Sequence, residues 1–180
     1  VLRAAFAAAA PGDPRWRGAL ARIDDDLRRT DRLARARQWP DAHEALEPIR
    51  ERLWNARRAH GLDYPLDRYT AYHAAMEHLF DRGAALKGVA IGQAGRAGLT
   101  ADFTRARVLW LAVERADVSA RAFGLDAPRE AQWRSAVVAE TQALATLSQA
   151  LANGSDVAVL QAVAAIKAPF VRAYTAFGEG

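Results

Sequence analysis

Apolar residues recur every three or four positions through most of this chain, a spacing that predicts helices joined by short breaks. Asp13-Pro14 opens the first helix: an N-cap residue, then proline at the first helical position, where its missing N–H costs nothing. Trp16, Leu20, Ile23, Leu27, Thr30 and Ala34 follow as one stripe, with Asp24 to Asp26, Arg28 and Arg29 largely off it, so this helix is expected over 14–37. Trp39-Pro40-Asp41 restarts the chain into a second helix. Its stripe is Ala42, Leu46, Ile49, Leu53, Ala56 and His60, and Gly61 fits its stop. Pro48 lies inside it, removes one backbone hydrogen bond and meets the Glu44 carbonyl, which predicts a kink.

Pro65 and Asp67 start a third helix, with Leu66, Tyr69, His73, Met76, Phe80 and Gly83 in line. Gly83, Gly88, Gly92, Gly95 and Gly98 crowd its far end, which either packs closely on a neighbour or frays into a loop. Thr100 is expected to cap a fourth helix carrying Ala106, Leu109, Val113, Ala116, Ala120 and Phe123, with Gly124 as its end. Pro128 opens a fifth, with Trp133, Val137, Glu140, Leu144, Leu147 and Leu151, ended by Asn153-Gly154. Ser155 caps the last, which buries Leu160, Val163, Phe170 and Phe177, carries Lys167 and Tyr174 on the same stripe, and is kinked by Pro169.

The expected fold class is therefore all-α: an antiparallel helical bundle of about six helices in a single domain over 1–180. Alanine abundance and few β-branched residues support helix throughout. A weak internal repeat adds detail. Ala59-His-Gly-Leu-Asp-Tyr-Pro65 matches Ala122-Phe-Gly-Leu-Asp-Ala-Pro128, with Glu51-Arg52 matching Glu114-Arg115 and Glu77 matching Glu140 in the same register. The repeat suggests helical hairpins packed side by side; chance similarity in an Ala/Arg-rich chain is the alternative.

The net charge is +4, carried almost wholly by arginine. The arginines alternate with Asp and Glu at helical spacing, as mixed solvated faces do, so nucleic acid is not an expected partner. The chain has no cysteine, which removes disulfides, thiolate zinc, cysteine nucleophiles and covalently attached haem. No apolar run approaches the roughly 18 residues of a membrane span. The opening 1–12, VLRAAFAAAAPG, reads either as a short helix or as a signal-peptide remnant; the second reading would place the protein in the periplasm or otherwise outside the cytoplasm.

Chemistry-bearing residues concentrate between Trp39 and Phe80, which holds all four histidines. The second helix has His43-x-x-x-Glu47-x-x-x-Glu51 and the third has His73-x-x-x-Glu77-His78. Residues four apart share a helix face, so each helix offers a histidine beside a carboxylate. If the two helices form an antiparallel hairpin about Asp63, Glu47, Glu51, His73 and Glu77 share one region, with His43 about a turn further out. Imidazole and carboxylate suit zinc, iron, manganese or copper. Carboxylate-bridged sites in four-helix bundles, however, repeat Glu-x-x-His, which is not the pattern here. The alternative is that His43 and Glu51 are solvated and His73 is a core histidine with a local partner.

Leu151-Ala-Asn-Gly154, with Gln161-Ala162, Lys167 and Ala173-Tyr174, resembles the last hairpin of soluble four-helix-bundle b-type cytochromes. The resemblance implies a bundle of that shape. That family binds haem through a Met on its first helix and a His near the end of its last. Here the first helix has no Met and no His follows Tyr174, so the haem role does not carry over. Glu140 and Lys167 both interrupt apolar stripes and fall on nearly the same level about Gly154; they are expected to pair with each other, since a buried charge needs a partner. Of the tryptophans, Trp54 and Trp110 lie off the main stripes, with core the preferred reading over an interaction surface.

Two function classes fit these residues: a non-enzymatic metal-binding or metal-handling bundle using His43, Glu47, Glu51, His73 and Glu77, and a cofactor-free helical protein-interaction module. Acid–base catalysis by the His/Glu set would need a cleft around it.

Overall fold

The computed structural model describes residues 13–178, and the expected short segment 1–12 lies outside them. Over these residues the protein is all-α, with no strand. The helices are α1 (Pro14–Arg35), α2 (Trp39–Ala59), α3 (Asp67–Ala85), α4 (Gly92–Glu114), α5 (Ala127–Asn153), α6 (Asp156–Ala165) and α7 (Lys167–Thr175), with a 3-10 turn at Ala120–Phe123. Counting α6 and α7 as halves of one bent helix leaves the six expected, among the described residues. The break at Ile166 follows from Pro169, which has no N–H for the Ala165 carbonyl and clashes with it. Pro48, by contrast, lies within an unbroken α2.

The starts match the sequence where a polar side chain caps them. Asp13 accepts from the Arg15 N–H at 2.7 Å, Asp126 from the Arg129 N–H at 2.9 Å, and Ser155 from the Ala158 N–H at 3.2 Å. The fourth helix departs from expectation at both ends. It begins at Gly92, and Thr100 lies inside it, its hydroxyl donating to the Arg96 carbonyl at 2.8 Å rather than capping. It ends at Glu114; Ser119 then caps the separate 3-10 turn, so Ala116 to Phe123 do not extend the helix. The repeated turns do share a conformation. Gly61 and Gly124 have φ of 65° and 70°, and the next residues close the same hydrogen bond, Leu62 N–H to Arg57 at 3.0 Å and Leu125 N–H to Ala120 at 2.9 Å.

The chain divides into two compact units, Val1–Tyr64 and Pro65–Gly180. In the first, α1 and α2 pack on each other. The α2 helix buries Ala42, Ala45 and Ala56, small residues that allow close approach, and α1 buries Trp16 and Ile23. Asp26 of α1 accepts from Arg52 of α2 at 2.7 Å, and the Trp16 and His60 rings meet edge-on at 4.9 Å.

The second unit is a four-helix bundle of α3, α4, α5 and the bent α6–α7. Its register reads from the side-chain contacts. Arg82 meets Asp102 and Tyr72 meets Trp110, so α3 and α4 run antiparallel. Trp110 meets Thr141, while Arg96 reaches the carbonyls at the end of α5, so α4 and α5 are antiparallel too. Gly83 lies against Val163, Glu77 against Lys167 and Tyr72 against Phe170, which reverses α6–α7 against α3. The centre is aromatic and aliphatic: Tyr69, Tyr72, Met76, Leu79, Trp110, Leu144 and Ile166 are fully buried. Trp110 is thus core, as preferred, whereas Trp39 is largely exposed.

One segment corrects the reading that none suits a membrane. Asp156–Thr175 is long and apolar enough by length and composition, with mean hydropathy 1.3. In the bundle its inward side, Val159, Ala162, Val163, Ile166, Phe170 and Ala173, is buried in the core.

The close-packing alternative holds at Gly83. A Cβ there would lie 2.6 Å from Val163 Cγ1, on a stiff β-branched side chain. Gly83→Ala should therefore destabilise the fold by about 1–3 kcal/mol, the overpacking cost exceeding the roughly 1 kcal/mol gained in helix propensity. Denaturant midpoints of Gly83→Ala and of Gly83→Ala with Val163→Ala check this, the second change restoring part of the loss.

Candidate functional site

The five expected ligands fall in different units. His43, Glu47 and Glu51 are exposed on α2 in the first, with Glu47 bound to Arg50 one turn on. His73 and Glu77 lie on α3 in the second, and there the fold does bring two of them together: His73 Nε2 is 3.4 Å from Glu77 Oε1. The unit boundary falls within the Gly61–Pro65 turn, so the two helices of the hairpin expected about Asp63 belong to different units. Among the described residues no group of three or more His, Asp or Glu side chains is placed to hold a metal ion.

His73 and Glu77 sit at the margin of the bundle, where α3 meets α7. The His73 ring stacks on Phe170, with centroids 5.2 Å apart and planes 14° from parallel, and Tyr174 continues the stack at 6.5 Å. Lys167 reaches both Glu77 oxygens, at 3.1 and 3.2 Å, and its ammonium lies 4.7 Å from the Phe80 ring centre. The expected Glu140–Lys167 pair is therefore overturned. The two residues share a level of their hairpin, but Lys167 points along the α3–α7 seam while Glu140 points at the bundle axis. A lysine at the margin keeps its ammonium partly hydrated, which a central position would forbid.

Glu140 is 0% exposed, so its burial is as the sequence suggests. Its partner is Tyr72, across the bundle on α3, whose hydroxyl donates to Glu140 Oε1. The second oxygen, Oε2, is buried with no hydrogen-bond partner. Burial pushes the Glu140 carboxyl up to about 8, against the pull of the Tyr72 hydrogen bond and the Arg172 charge. Burial, reinforced by that carboxyl, drives the Tyr72 phenol far above its usual range, with Arg107 opposing. A second polar chain borders the same core: Trp110 donates to Thr141 at 2.9 Å, Thr141 to Glu114 at 2.5 Å, and Arg107 to Glu114 at 2.9 Å.

A further cluster joins α3 to α4 and was not among the expected site residues. Asp102 accepts from Arg82 on one oxygen, and His78 Nδ1 lies 3.2 Å from the other. His78 and Asp102 are equally far in sequence from residue 90, which lies in the loop that follows α3. The hairpin rule applied about Asp63 would have found them if applied about residue 90, but the glycine-rich stretch hid where α4 begins.

Comparison of the chain with protein-family models, curated proteins and solved structures found no match. The geometry alone carries the functional argument.

The raised Glu140 value sets a pH dependence. Between about pH 4.5 and about pH 8 the unfolded chain releases this proton while the fold retains it. The contribution of Glu140 to stability is thus complete at low pH and is lost as pH rises, by about 1.4 kcal/mol per pH unit across that window. Thermal melts at about pH 5.5 and about pH 8 should show wild type losing stability relative to Glu140→Gln at the higher pH, because the amide cannot ionise.

Proposed function

We propose that the chain is a cofactor-free helical interaction module whose α1–α2 hairpin docks an acidic amphipathic helix of a partner protein. The observation that carries this reading is Trp39, 63% exposed, with Leu46 on the same side of α2 and 41% exposed. Two turns of helix separate them, about 10 Å. Leu27 of α1 adds a third exposed large apolar side chain. Tryptophan anchors are typical of the desolvated centre of a protein interface.

The charge around these residues favours an acidic partner. Arg28 and Arg35 are paired with Asp25 and Asp31 at 2.6 and 2.8 Å. Arg29, Arg32 and Arg37, toward the α1–α2 turn that leads to Trp39, are exposed and have no ion-pair partner among the described residues, and outnumber the exposed Asp41 and Glu44 of the first turns of α2. An excess of cations on the side of an apolar anchor speeds encounter with an acidic helix and selects against a basic one.

A titration followed by tryptophan fluorescence tests this, with a synthetic amphipathic Leu/Glu helix and its Leu/Lys counterpart. The Leu/Glu peptide should bind with a dissociation constant on the order of micromolar, weaken with salt, and weaken about tenfold or more in Trp39→Ser with Leu46→Ser. Equal binding of both peptides, equal binding by the double variant, or no saturable binding would overturn it; so would self-association through these residues in sedimentation.

A second proposal, metal handling, draws on the convergence of His73 Nε2 and Glu77 Oε1 at 3.4 Å. A metal there would displace the Lys167 ammonium from Glu77 and recruit further ligands from solvent or a partner. Protein purified without a metal-affinity tag and analysed for zinc, iron, manganese and copper should then carry metal that His73→Ala removes. An empty protein with no thermal shift on adding those ions ends this proposal.

A further inference from the structure

We propose that the groove between α3 and α4 at His78 binds a small oxyanion, the carboxylate or phosphate group of a compact ligand. The groove holds about 200 Å³ and is lined by Ala74, Ala75 and His78 of α3 and by Asp102 and Arg105 of α4. A water occupies about 30 Å³ in the liquid, so the space suits a ligand of several heavy atoms and not a large cofactor.

Each polar group has a distinct task. Asp102, whose side chain is only 14% exposed, is held by Arg82 through Oδ2 and turns Oδ1 to His78 Nδ1 at 3.2 Å. A proton on Nδ1 then faces the carboxylate, which orients the ring and leaves Nε2 to donate to an oxyanion when the ring is the imidazolium. Arg82 and Asp102 neutralise each other. Arg105 is exposed and has no hydrogen-bond or ion-pair partner among the described residues. The groove therefore offers one uncommitted guanidinium and one oriented imidazole over a floor of two alanine methyls. A guanidinium binds carboxylate or phosphate through two parallel N–H bonds, and a protonated imidazole adds a third donor.

The arrangement differs from the other histidine sites. The Nε2 of His73 already faces Glu77, and that of His60 faces Asp13 at 3.6 Å. Only at His78, among these three, is the carboxylate contact through Nδ1 rather than Nε2.

NMR titration of the full chain, following the His78 ring resonances, tests the proposal with inorganic phosphate and with acetate as probes and chloride at matched ionic strength as control. Phosphate, acetate or both should give a saturable shift that chloride does not, and the stronger probe identifies the oxyanion class. Arg105→Ala should weaken binding about tenfold or more, and Asp102→Asn should weaken it while Arg105→Lys retains part. Arg105 is exposed, so thermal melts of Arg105→Ala should match wild type and separate loss of binding from loss of fold. A non-saturable shift, the same response to chloride, or unchanged binding by Arg105→Ala overturns the proposal.

Discussion

A carboxyl at the centre of a helical bundle constrains everything packed around it. Glu140 is wholly buried, and Tyr72 satisfies one of its oxygens from the diagonally opposite helix. A second diagonal contact, Trp133 Nε1 to the Tyr69 hydroxyl at 2.8 Å, lies one turn of α3 nearer its N-terminus on the same helix pair. Apolar side chains tolerate sliding, because one leucine can replace another against a neighbour. Two buried hydrogen bonds do not, because a slipped register leaves donors and acceptors unpaired in a low dielectric. The α3–α5 register is thus set by polar groups, and Trp110, Phe170 and Phe177 fill the space around them.

This places α3 at the middle of the second unit, with a separate task on each side. Tyr69, Tyr72, Met76 and Leu79 face the core. His73 and Glu77 face α7 and engage Phe170 and Lys167. Ala74, Ala75 and His78 face α4 and border the groove with Asp102. The charged groups keep to the margins because only there can water share their solvation. The half-exposed Glu77–Lys167 pair is accordingly a weak stabiliser, worth about 0–1 kcal/mol, while the core pair decides the fold.

Much of the helix map was legible in the residues. Asp13-Pro14 and Ser155 mark starts by chemistry that acts within four residues. The Gly61 and Gly124 turns were readable for the same reason, since a left-handed glycine closing a helix is a local event. Glu140 stood out as a polar residue on an apolar stripe. Its partner did not, because a level on a hairpin says nothing of the direction around each helix, and Tyr72 lies on a different helix of the bundle. The α4 boundaries failed where glycines weakened local propensity and packing decided instead: Gly98 stays helical with Arg82 lying 3.0 Å from where a Cβ would be. The candidate site was legible as a set of residue types but not as an arrangement. His73 and Glu77 meet because they are one helical turn apart, whereas Asp102 reaches His78 only through the α3–α4 pairing.

The sequence by itself determined the all-α class, the main helices, the caps at Asp13 and Ser155 and the burial of Glu140, because spacing, capping and propensity act over a few residues. Tertiary structure decided which helices pair, that Lys167 meets Glu77 and Glu140 meets Tyr72, and that His78 rather than His43 lies beside an oriented carboxylate. Those outcomes depend on the rotation of each helix about its axis and on which neighbour it faces. Both are settled by packing of the whole core, which no local pattern encodes.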